Sequence, residues 1–156
     1  MTTLVFVPLD RETAYALRTG PGLGPRPGCA PTAELSASIG PDAVTEEIEF
    51  AALSHAGVLA LTSTTDPLRL VLAADVEAGQ VQESGDGPGQ VLVAGLQWWQ
   101  VQSLFADEPD AAGAVARARS AAKGRAPTEA MGRDEVTELL DACDLLWFAP
   151  EELDRC

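Results

Sequence analysis

Residues 44–62, VTEEIEFAALSHAGVLALT, form the longest run in the chain with helical spacing and almost no polar relief, and the rest of the fold has to be arranged around them. At roughly 100° per residue, Val44, Ile48, Ala51, Ala52, Val58 and Leu59 fall on one side, while Phe50, Leu53, Ala60 and Leu61 occupy much of the other. A helix apolar nearly all round is a buried helix. Glu46, Glu47 and Glu49 stand in its first turns, where negative charge meets the positive end of the helix macrodipole, and Asp42 and Thr45 each suit an N-cap. The stretch therefore predicts a central helix docked on a sheet supplied by the chain before and after it.

Working outward, Leu4–Val7 is a short β-branched run stopped by Pro8, the pattern of a strand buried on both faces. Asp10 follows as a candidate N-cap for a short helix that ends at Gly20. Residues 20–31, GPGLGPRPGCAP, alternate glycine and proline; they read as a mobile loop, because proline removes ladder donors and breaks helices. No Lys-Ser or Lys-Thr closes a phosphate-binding loop there. Thr32–Ile39 predicts a further short helix.

On the other side of the central helix, Leu68–Ala74 is a continuous apolar run ending at Asp75, with one charge, Arg69, near its entry. Strand, helix and strand in this order predict a parallel relation between the first two strands. Residues 80–82 and 90–94 flank a Gly85–Gly89 turn and predict a hairpin. Val101–Ala106 reads as a strand ending at Asp107, residues 109–123 and 134–142 as helices, and Leu145–Phe148 as a last buried strand. The sum is an α/β or α+β domain spanning residues 1–156, with a mixed sheet of about five strands and helices packed on it. A ferredoxin-like arrangement with extra helices in its first crossover fits this order, and a flavodoxin-like sheet is the competitor.

Composition narrows the function classes. The chain is 46% hydrophobic, enough for one core, and carries 24 acids against 10 bases for a net charge of −14. Such a charge repels phosphate backbones and argues against nucleic acid as a partner. Four bases cluster as Arg117, Arg119, Lys123 and Arg125, which reads as cations on the last turns of a helix, kept in water. Cys29, Cys143 and Cys156 are odd in number and widely spaced, suggesting neither a disulfide framework nor a zinc site and fitting a reduced, cytoplasmic protein. No run reaches the roughly 20 apolar residues of a membrane span, and the N-terminus lacks the basic region of a signal peptide.

Four segments together resemble a family of small, uncharacterised actinobacterial proteins: Leu4–Leu9 (LVFVPL), Glu46–Leu53 (EEIEFAAL), Val71–Val76 (VLAADV) and Leu145–Leu153 (LLWFAPEEL). The resemblance runs end to end apart from the Gly/Pro-rich loop. It implies a single cytoplasmic domain and brings no catalytic residues with it.

Few polar residues carry a chemical suggestion. Asp10, Asp75 and Asp107 each follow a predicted strand; were those strands parallel, the three carboxylates would gather at one end of the sheet and could hold Mg²⁺. The competing reading makes each a helix cap or turn residue. His55, the only histidine, lies on the Ile48–Leu59 stripe, either as a general base or as a hydrogen-bonded core residue; Glu47 points some 80° away from it. Trp98 and Trp99, on a strand, would face opposite sides; either one is exposed and offers a binding surface, or both cover the edge of the core. Two functions follow. The first is an acidic, non-enzymatic interaction or regulatory protein that binds a basic protein partner or associates with itself, with no cofactor. The second is an enzyme using Mg²⁺ at Asp10, Asp75 and Asp107 on a phosphorylated or nucleotide-like small molecule.

Overall fold

The computed structural model describes residues 1–156. In chain order its elements are β1 (Thr2–Pro8), α1 (Arg11–Thr19), β2 (Arg26–Cys29), α2 (Ala33–Ile39), α3 (Thr45–Ser63), β3 (Leu70–Glu77), β4 (Val81–Glu83), β5 (Gln90–Val93), β6 (Val101–Ala106), α4 (Ala112–Ala122), α5 (Pro127–Ala130), α6 (Asp134–Ala142) and β7 (Leu146–Phe148). Short 3₁₀ turns at Ala78–Gln80, Trp98–Gln100, Pro109–Ala111 and Pro150–Arg155 join or extend them. No helix is long and apolar enough to cross a membrane.

All seven strands form one sheet in the order β4-β5-β2-β1-β3-β6-β7, and every neighbouring pair is antiparallel. The sheet is thus larger than the five strands expected, and it is antiparallel between neighbours rather than mixed. The parallel relation expected between β1 and β3 is also overturned, since Thr2 faces Glu77 and Pro8 faces Val71. The source of the error is β2. It lies inside the Gly/Pro stretch that reads as a loop, and it, not β1, begins the crossover through α2 and α3 into β3. Because β2 and β3 are each antiparallel to β1, they run the same way with β1 between them, a split βαβ unit.

The composition of β2 explains how such a sequence can be a strand. It pairs along its length with β5, and because Ala30 N–H bonds to Gly89 O the alternation turns the Pro27 nitrogen to the β1 side, where the one pair is Phe6–Cys29, so its missing donor breaks no β2–β5 bond. Gly28 is required by contact: a Cβ there would sit 2.8 Å from the Phe6 carbonyl oxygen and 3.3 Å from Val7 Cγ2. The rest of the stretch is tied down as well, through Leu23 N–H to Leu96 O, Gly95 N–H to Leu23 O, and Gln97 Nε2 to Pro21 O.

Alternation along the strands divides the core into layers. Val5, Val7, Leu70, Leu72, Ala74 and Leu104 face one side, where Ala14 and Leu17 of α1, Leu96 and Leu153 cover them. Phe6, Val71 and Ala73 face the other, beneath Ala52, Ala56 and Leu59 of α3. Val58 and Leu61 on the back of α3 then pack against Val115, Ala118 and Ala122 of α4 and Val136 and Leu139 of α6. The second half of α3 is therefore enclosed between sheet and helices, with Ala56–Leu61 buried without interruption.

Its first half is not enclosed. Thr45–Glu47 are exposed, Val44 is 53% exposed, and Phe50 is 67% exposed. Neither Asp42 nor Thr45 caps the helix: Val44 occupies the N-cap position without a side-chain bond. The other end is capped from outside. Arg119 of α4 donates from Nη1 to the carbonyls of Ala60, Leu61 and Thr64 and from Nη2 to Asp66 O, supplying a cation where the last carbonyls of α3 lack partners. The basic cluster thus divides. Arg117 and Lys123 do lie in water, Arg125 caps its own helix at Ala121 O and pairs with Glu129, and Arg119 is half-buried against a different helix from the one expected.

Candidate binding groove

The expected carboxylate constellation does not assemble. Because β1 and β6 run the same way and β3 runs opposite, Asp10 and Asp107 share one end of the sheet, while Asp75 stands exposed opposite Leu4, well along β3. Nowhere in the chain do three or more His, Cys, Asp or Glu side chains converge as a metal site. Asp10 and Asp107 instead have structural partners. Asp10 Oδ1 accepts from the backbone N–H groups of Thr65 and Asp66, both at 2.8 Å, and Asp66 Oδ2 returns the arrangement by accepting from Arg11 N–H at 2.7 Å. The exchange binds the start of α1 to the turn after α3. Burial raises the Asp10 pKa, but the hydrogen bonds from Thr65 and Asp66 and the charge of Arg119 outweigh it and hold the carboxyl below its ordinary value.

Asp107 is enclosed with Arg69, the pair having side chains 0% and 1% exposed. One Asp107 oxygen accepts from Arg69 Nε and Arg69 N–H, each at 2.9 Å, and the other from Nη2 at 2.8 Å. This fork-on-carboxylate contact is the geometry that arginine favours. In the sequence, Arg69 looked like a stray charge at a strand entry; in the structure it is the largest fully buried side chain. The available signal was an arginine inside an otherwise apolar interior run, which must find a buried anion.

Arg69 also floors a cavity of about 410 Å³ between α3 and the segment that leads from α6 into β7. Phe50, Leu53, Ser54 and Gly57 form one wall, and Leu140, Cys143, Asp144 and Leu145 the other. Gly57 is small for a reason, since a Cβ there would approach Arg69 Nη1 to 3.0 Å. A second, apolar hollow of about 230 Å³ adjoins the first across Phe50 and Leu53, lined by Leu4, Phe6, Ala73 and Phe105 of the sheet. Trp147 pairs directly with Phe105 and so stands on this same face, 61% exposed. The result is an open, largely apolar groove with Phe50 on one bank, Leu145 and Phe105 on the other, and Glu49 and Asp144 in its lining; Trp147 lines neither hollow but stands one strand beyond Phe105 on the same face. Cavities of this size hold small ligands or a few side chains of a partner.

The remaining candidates lie elsewhere. His55 is half-buried and lines neither hollow; burial lowers its pKa, partly offset by a hydrogen bond to the Pro88 backbone, which is the behaviour of a packed, neutral histidine. Trp98 and Trp99 occupy a 3₁₀ turn, not a strand. Trp98 packs on the core face opposite α3, and Trp99 projects 76% exposed, but neither reaches the groove. Phe50 and Trp147 were hidden because both fall in stretches that read as wholly interior.

Residues 3–156 match the model of a family described as "Family of unknown function (DUF6912)". No curated protein and no solved structure matches the chain. With the match covering nearly its whole length, the chain belongs to DUF6912, a family of unknown function.

Proposed function

We propose that the protein is a non-enzymatic interaction module whose groove beside α3 anchors an apolar segment of a basic protein partner. The observation that carries this reading is the exposure of Phe50 and Trp147 around paired apolar hollows in a chain of net charge −14. Exposed aromatic surface beside such hollows marks a place where another molecule sits, and aromatic residues supply most of the energy at interface centres. The surrounding acids define the partner's charge. Glu49 stands in the lining on the α3 side and Asp144 on the α6 side. Such a rim favours a cationic partner and disfavours a second copy of the same acidic chain, mainly through association rate and specificity.

The test uses two labelled peptides of about ten residues, alternating Lys-Val and alternating Glu-Val, titrated with the protein by fluorescence anisotropy. The Lys-Val peptide is expected to bind, and to bind more weakly as salt rises from about 20 mM to about 150 mM. Phe50→Ala or Trp147→Ala should weaken it by roughly thirtyfold, the cost of truncating an interface anchor. Equal binding of both peptides, or no effect from either substitution, would overturn the reading.

A further inference from the structure

The two edges of the sheet are built differently, and the difference falls beside the groove. One edge, β4, reads Val81-Gln82-Glu83, polar and charged as edge strands usually are. The other, β7, reads Leu146-Trp147-Phe148, with no charge, no proline and no register shift against β6. Leu146 and Trp147 are both exposed, and no further strand lies beyond them. Asp107 N–H bonds back to Arg69 O, so in the alternating ladder Leu146 and Phe148 bond to β6 and Trp147 presents its N–H and C=O outward; an uncharged, hydrophobic edge with such a free donor and acceptor is a template for another strand. Acids bracket this one: Asp141 and Asp144 precede it, and Glu151 and Glu152 follow it.

We infer that the partner segment binds as an extended strand added to β7, placing alternate apolar side chains over the groove and its cationic residues against the flanking acids. The register of the sheet fixes what such a strand meets. Val71, Phe105 and Trp147 are successive cross-strand neighbours on the α3 face. A residue of the added strand opposite Trp147 continues that row, on the face where the hollows under Phe50 and Leu53 open. Its neighbours on either side point to the opposite face, beside Leu146 and Phe148, so an alternating sequence is the one that fits. A second copy of the chain is the poorer occupant, because pairing β7 with β7 would bring Asp141, Asp144, Glu151 and Glu152 of both copies together. This deepens the interaction reading above and rests on it.

Backbone methylation of the probe separates the two. Two further Lys-Val peptides carry N-methyl groups, one on every lysine and the other on every valine; each keeps side chains and charge but loses the donors along one edge. Strand addition uses one edge only, so one methylated peptide should lose roughly fivefold or more in affinity, the worth of the backbone hydrogen bond to Trp147 C=O, while the other binds nearly as the parent does. In the same complex the Trp147 amide, which faces outward, should become protected from hydrogen exchange. If the parent binds and neither methylated peptide is weakened, or no β7 amide gains protection, strand addition is wrong and the groove reading survives. Failure of the parent peptide to bind overturns both. Sedimentation of the free protein as a dimer that dissociates on Trp147→Lys would assign the edge to a second copy and overturn the proposal.

Discussion

Replacing Asp107 with asparagine should destabilise the fold severely, and the size of the effect follows from what the carboxylate does. It accepts three hydrogen bonds from Arg69, two from the guanidinium and one from the backbone, at 2.8–2.9 Å, with both side chains sealed from solvent. Asparagine keeps the shape but supplies one neutral acceptor and turns an amide donor toward the guanidinium. Arg69 is then left as a buried cation whose other contact, Nη1 to Gly57 O at 3.4 Å, is long. Removing one partner of a buried ion pair costs about 3–5 kcal/mol. At about 2–4 °C per kcal/mol for a chain of this size, the midpoint of thermal unfolding should fall by about 6–20 °C. Circular dichroism melts and urea titrations measure it, and a double variant, Arg69→Met with Asp107→Leu, should recover part of the loss, since an apolar pair of similar volume removes the buried charge and leaves only the residue 69 backbone N–H without its carboxylate acceptor. A fall of less than about 1 kcal/mol for Asp107→Asn, or a double variant as unstable as the two single variants combined, would refute the description of this pair as a buried, mutually dependent unit.

Two further predictions concern titratable groups. His55 has a folded-state pKa below its ordinary 6.5 because burial disfavours the imidazolium, so the unfolded chain takes up its proton first; stability is intact above pH 6.5 and declines as pH falls from there toward the folded-state value. Urea midpoints measured at about pH 7.5 and about pH 5 should therefore differ less in His55→Gln than in the parent; an unchanged difference would show that the histidine is solvated. Burial raises the Cys29 thiol to about 12, against a lowering contribution from the Gln90 amide. Alkylation of the native protein at about pH 8 should thus label the half-buried Cys143 and Cys156 well before Cys29, as read by peptide mass spectrometry.

The sequence carried the element types well and their directions poorly, for physical reasons that can be named. The span of α3 is legible to within a residue because a long apolar run with helical spacing has few other solutions. The β4–β5 hairpin is legible from its glycine turn. What escaped was β2, since Pro27 and Gly28 belong to a strand only because β5 supplies its ladder and Phe6 demands a residue without a side chain. Without β2 the crossover attaches to β1, the strand directions invert, and three carboxylates converge on paper that in the structure stand at two places. The groove was illegible for a related reason. Hydrophobicity marks Phe50 and Trp147 as interior, and only the packing shows that α3 outruns its cover and that β7 ends the sheet.

The central claim is that the aromatic groove between α3 and β7 is the surface that meets a partner, and Trp147 can report on it directly. The chain has three tryptophans, so a variant with Trp98→Phe and Trp99→Phe leaves Trp147 as the only emitter. Titrating that variant with the unlabelled Lys-Val peptide should shift its emission to the blue in step with the anisotropy-measured binding, and added salt should reverse the shift. Binding of the peptide with the Trp147 emission unmoved would place the interaction elsewhere and contradict the account.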